Sequence, residues 1–245
     1  MKITKFNILT AACLLMAFAS CKKLSLQKDY EGTPHTLDPK IHKTAGKYLT
    51  DRATGVASQG DTIFAAMLRG LKYAEIDLAE FEKEGRTFIL LHNDAVRRVV
   101  KVSGKDSMQS DCFFGANFVN GKPAQKWEDY PKDFVKTYFL YLIVTSVKDH
   151  YTMKEADENY LSATLAPEGS LTTQPAGITR HSTWPFLSNP KSEMRLKVVN
   201  ASPSNTSDYP IMLNDTRAVR TSSIQADNGA IHVIDRYLSP TLIPF

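Results

Sequence analysis

Cysteine is scarce: three in 245 residues, at positions 13, 21 and 112, with no pair at metal-ligand spacing. Cys13 lies in an apolar leader and Cys21 directly follows it, which leaves Cys112 alone in the body of the chain. Neither an internal disulfide nor a cysteine zinc site can then hold the fold together, so burial must do it. An excess of one charge is also missing. Lys plus Arg number 30 against 26 Asp plus Glu, a formal +4 that is evenly spread. That is too weak for a nucleic-acid groove, and no nucleic-acid partner is expected. A mean hydropathy of -0.27 excludes a polytopic membrane protein. Motifs that carry chemistry are lacking too. There is no H-E-x-x-H, G-x-S-x-G, Walker loop or dinucleotide fingerprint, and Asp106 and Asp111 lack the alternating carboxylates of a calcium loop. The expectation is no enzyme, no cofactor and no metal. What is present is 42% hydrophobic, 10% aromatic and 23% charged residues, the composition of a folded globular protein.

The N-terminus stands apart from the rest. Lys2 and Lys5 precede a charge-free run from Phe6 to Ser20. As a helix that run would reach about 22 Å, short of the roughly 30 Å hydrocarbon core, which favours a secretory signal over a membrane span. Phe18-Ala19-Ser20-Cys21 resembles the bacterial lipobox, in which the cysteine receives lipid, palmitate among it, and becomes the mature N-terminus. The resemblance implies a signal peptide at 1–20, lipidation at Cys21 and anchoring in the outer membrane, with either leaflet open. Residues 22–37 are polar and without period, so 21–37 reads as a lipid-anchored tether and 38–245 as the folded domain.

Within that domain, helical periodicity appears first. Asp38-Pro39 predicts a helix start, with Ile41, Ala45, Tyr48 and Leu49 on one face. A second helix is expected from Asp61, weakened by Gly70, and a third over Ile76–Glu84, stopped by Gly85. Thr87–Leu91 reads as a buried strand, and Asn93 as the cap of a helix carrying Val96, Val99 and Val100. Pro131 opens a helix with Phe134, Tyr138, Tyr141 and Leu142 inward. Two loop-like stretches lie at 103–130 and 166–192, and the remainder reads as short strands. Helices followed by strands predict an α+β domain.

The most specific stretch is Asn228-Gly229-Ala230-Ile231-His232-Val233-Ile234-Asp235-Arg236-Tyr237-Leu238-Ser239-Pro240. It resembles the closing motif of fasciclin-like domains, N-G-hydrophobic-I-H-V-I-D-x-hydrophobic-L-x-P, at every fixed position. Thr87 to Val96 resembles the family's T-V-F-A-P-T-N-x-A-F, keeping Thr87, Asn93 and Ala95, with Leu91 where the proline stands and Val96 where the last Phe stands. Tyr141-Leu142 occupies the place of the family's Tyr-His pair. The resemblance, to a divergent single-domain lipoprotein of the Bacteroidetes type, implies a twisted β-sheet wedge with helices packed on it. It also implies a cell-surface adhesion or binding module, with 103–130 and 166–192 as insertions.

Individual residues sharpen those expectations. Asn228-Gly229 can supply the positive φ angles of a tight turn. His232, inside an apolar strand, is expected to be a core histidine hydrogen-bonded to backbone, with Asp235 on the opposite face and no dyad between them. Cys112 reads as a small buried hydrophobe. The aromatics of the insertions admit two readings. Burial over the sheet is one; the other is a platform of Trp127, Trp184 and Phe186 that stacks on a glycan or a protein partner. With the platform, the chain would be an accessory lipoprotein of a polysaccharide-uptake system, binding glycan or docking on an outer-membrane transporter.

Overall fold

The computed structural model describes residues 38, 40–200 and 209–242. The signal, Cys21 and the tether lie outside them. The described residues from 40 onward belong to one compact unit. The described residues carry five α-helices and thirteen strands, an α+β arrangement in which helices come first and most strands later.

Helix α1 spans Ala45–Thr54, not the turn after Asp38. The start is decided by caps. The Thr44 hydroxyl accepts from the Lys47 N–H at 3.2 Å, and Asn228, distant in sequence, accepts the Ala45 N–H at 2.9 Å. Gly55, at φ 80°, closes the helix. Helix α2, Ala65–Tyr73, has no cap from its own preceding residue. Asn93 supplies it, accepting from the Ala66 N–H at 2.9 Å while donating to the Thr62 carbonyl at 2.8 Å. The expected third helix is a 3-10 turn, Leu78–Phe81, capped by Asp77.

Strand β1, Arg86–Leu91, follows, then the single helical turn α3, Asn93–Val96, whose N-cap is His92. The expected longer helix is absent. Val99 and Val100 belong to β2, Val99–Val102, which forms a hairpin with β3, Lys105–Met108. Their β-branched side chains suit the hairpin better than a helix. The supposed loop at 103–130 is therefore largely structured: after β3 come α4, Phe113–Ala116, β4, Asn117–Val119, β5, Lys122–Pro123, and a 3-10 turn at Trp127–Asp129. Helix α5, Lys132–Tyr141, starts after Pro131 as expected and buries Val135, Tyr138, Phe139 and Tyr141.

Strands β6, Ile143–Val144, and β7, Tyr160–Ala163, lead into the second insertion, which contributes only β8, Ile178–Arg180. The chain then forms β9, Glu193–Val198, β10, Ile211–Leu213, β11, Arg217–Ala218, β12, Thr221–Ala226, and β13, Gly229–Ile234. Two four-stranded sheets result, β12-β13-β1-β6 and β11-β10-β9-β7, joined by a bridge between Val144 and Thr164. A three-stranded sheet, β5-β4-β8, ties the two insertions together.

The motif at 228–240 lies at the centre of the first sheet. β13 runs parallel to β1 from Arg86–Gly229 to Leu91–Ile234, and antiparallel to β12 on its other side. Both β1 and β13 are buried along nearly their whole length, which is why both read as continuous apolar runs. The turn before β13 differs from expectation. Asn228 has no positive φ, and Gly229 stands at φ 157°. Gly229 is needed instead for close approach, because a Cβ there would stand 2.1 Å from the Arg86 carbonyl oxygen.

Candidate functional site

Asn228 is a structural hub. Its carbonyl caps α1, and its amide donates to the Phe81 and Lys83 carbonyls at 2.8 and 3.2 Å. His232 is fully buried. Its Nδ1 accepts from the Ser223 N–H at 3.0 Å, so the ring proton sits on Nε2 and is donated to the Lys148 carbonyl at 2.8 Å. Burial pushes its pKa down to about 4, which keeps the ring neutral. Asp235 faces Arg236 and Arg220, at 3.1 and 3.6 Å, and makes no bond to His232. Asn228 and His232 tie the central sheet to its neighbours, and Asp235 is held by two arginines.

A serine–histidine contact escaped the sequence reading. Ser223 Oγ lies 2.7 Å from His150 Nδ1, and His150 Nε2 lies 2.8 Å from the Tyr209 carbonyl. The His150 N–H also reaches Oγ, at 3.1 Å. Ser223 sits at φ 55° where the β12–β13 register shifts. The pair closes a bulge onto the loop beside it, and neither residue lines a cavity described below. Among the described residues no group of three or more His, Cys, Asp or Glu is placed to hold a metal ion.

Trp127 corrects the platform expectation. It is 4% exposed, and its indole N–H donates to the Ala66 carbonyl at 2.9 Å. Gly70 makes room for it: a Cβ there would fall 2.6 Å from the indole and 2.5 Å from Phe139. The glycine that reads as a helix weakness is the seat of the ring. Phe113 joins Trp127 to Tyr130 and Tyr138, with centroids 5.0, 5.3 and 4.5 Å away. Trp184 is half-buried elsewhere. It packs edge-on against Tyr237 at 5.7 Å, donates to the Ser110 carbonyl at 2.6 Å and lies under the Arg217 guanidinium. The two indoles form no shared surface, because the core has taken one of them.

Phe186 leads to the site that the geometry offers. It is half-buried beside the Arg180 guanidinium, 5.9 Å from its ring centre, and lines a cavity of about 380 Å³. Helix α5 forms one wall through Phe134 and Tyr138, and the second insertion forms the other through Leu171, Pro175 and Phe186. Tyr237 and Pro240, from the end of the motif, complete it. A concave, mostly apolar space with polar groups set into it, among them Thr137, Ser170 and Thr173, has the form of a small-molecule site. Arg180 is its cation. The guanidinium donates to the Tyr237 hydroxyl, but its Nε is buried without a partner, and it pairs with no carboxylate among the described residues. Two smaller cavities lie near Trp127 and near His92, the latter beside Arg52 and Arg220.

Tyr138 could be read from the sequence as an inward position and Tyr237 as the hydrophobic position of the motif. Arg180 carried no signal, because what singles it out is the lack of a partner in space. Compared with known protein families and with curated proteins, the chain finds no match.

Proposed function

We propose that the chain is an envelope-anchored, non-enzymatic binding or adhesion module of the fasciclin type, tethered by lipid at Cys21. The observation that supports this most is the use made of the closing motif. Asn228 caps α1 from a distance, Gly229 permits contact with β1, and His232 satisfies both ring nitrogens inside the central sheet. These motif residues thus serve a stable scaffold, and the loops of the second insertion supply surface on it, as suits a binding module.

Two measurements test the reading. Metabolic labelling with palmitate should mark the wild-type protein and not Cys21→Ser, and the variant should leave the detergent phase. A mature chain shown by intact mass to begin elsewhere removes the anchor from the proposal. A screen of the full-length protein against glycans and matrix proteins should then find a partner whose binding needs no turnover. Chemical conversion of a bound compound would replace the binding module with an enzyme.

A further inference from the structure

Two residues that line the cavity beneath Phe186 carry hydrogen-bond donors without a partner. One is Arg180 Nε, buried and without a partner. The other is the Tyr138 hydroxyl, on a side chain only 2% exposed. No acceptor for the phenol's proton is present among the described residues. Burial raises the Tyr138 pKa well above its ordinary value, so the phenol keeps that proton. A buried donor left unmade is costly, and two beside one cavity point to an acceptor brought from outside.

The walls narrow the choice. Phe134, Leu171, Pro175 and Phe186 offer most of the apolar surface, and the hydroxyls of Thr137, Ser170 and Thr173 also line it. Arg180 lacks an ion-pair partner, so an anion is favoured and an amine is repelled. The single lining carboxylate, Asp133, is exposed on the first turn of α5. At about 380 Å³ the cavity falls in the range of small-molecule sites. We propose that this cavity binds a small apolar monocarboxylate, its carboxylate on Arg180 and Tyr138 and its hydrocarbon against Phe134, Leu171 and Phe186. The proposal rests on the reading of the chain as a binding module and gives that module its ligand class.

Calorimetric titration of octanoate into the full-length protein, held in phospholipid nanodiscs with empty nanodiscs as the blank, tests it. Octanol and octylamine present the same chain without the carboxylate. Octanoate should bind, with both analogues weaker by about ten-fold or more. Arg180→Gln and Tyr138→Phe should each weaken octanoate by about ten-fold and leave octanol unchanged. Ala176→Trp, placed at the exposed rim, should fill the cavity and abolish binding in a protein of unchanged melting temperature. Octanol binding as tightly as octanoate overturns the proposal. So does undiminished octanoate binding in Arg180→Gln or Ala176→Trp, or an absence of binding to the folded wild type. If octanoate fails while the glycan and matrix screen finds a partner, the module stands and this ligand class falls. If octanoate binds and the screen stays empty, the cavity stands and the adhesion reading falls.

Discussion

The two insertions look alike in the sequence and behave differently in the fold. Each is long, polar and punctuated by aromatics, and each carries one of the two tryptophans. The first contributes one strand of a hairpin, a short helix and two further strands, and sends Phe113, Phe114 and Trp127 into the core. The second holds one three-residue strand and lies over α5 as the outer wall of a cavity. Composition is similar; partners differ. Trp127 meets a helix carrying glycine at the point of contact, whereas Trp184 and Phe186 meet arginines at the surface. An aromatic ring is buried where a neighbour leaves room, and it stays at a rim where the neighbour is charged.

The comparison breaks most readily at Trp127. Trp127→Ala should cost about 3–5 kcal/mol in urea denaturation, the range for losing a large buried ring. Octanoate affinity of the remaining folded protein should be unchanged. A loss under about 1 kcal/mol would place the first insertion with the second, as a cover and not core.

The scaffold beneath both insertions should show its own signature in pH. The unfolded His232 side chain titrates near the ordinary 6.5 and the folded one near about 4, so between those values the unfolded chain binds a proton that the folded chain does not. Stability from this residue is complete above pH 6.5 and is lost as the pH falls toward 4, by about 3 kcal/mol in all. Melting curves of wild type and His232→Gln across that window should diverge in slope. Parallel curves would mean that the ring is not held neutral in the fold.

Gly70→Ala sharpens the account of the first insertion. The added methyl group must displace Trp127 or Phe139, at a cost of about 1–3 kcal/mol, although alanine is the better helix former. A stabilised variant would show that the contact is looser than described. The smallest effects belong to the second insertion. Phe186→Ala should change stability by about 1 kcal/mol or less in the same denaturation assay while weakening octanoate binding. A large loss of stability with intact binding would reverse the roles assigned to the two regions.

Much of the scaffold was legible in the chain. β1 and β13 announce themselves as unbroken apolar runs, α5 by its proline and its inward spacing, and His232 by standing alone among apolar neighbours. The failures have a common cause. Asn93 reads as the cap of the helix that follows it, and its side chain instead caps α2. Asp38-Pro39 reads as a helix start, and Asn228 helps to set that start at Ala45. Val99 and Val100 fit a helical pattern until a facing strand is available to pair with them.

The amino-acid sequence by itself determined the α+β class, the central strand and the positions that had to be buried, because apolar spacing and special residues act over a few neighbouring positions. It also displayed every aromatic of the two insertions. Which of them became core and which became a cavity wall was decided only in the tertiary structure. Burial depends on the shape of whatever packs opposite, and Gly70 and Ala66 lie far along the chain from the ring they receive. The unpaired donors of Tyr138 and Arg180 belong to the same class of fact. Any residue can carry a polar group, and only the assembled fold shows which ones are left without a partner.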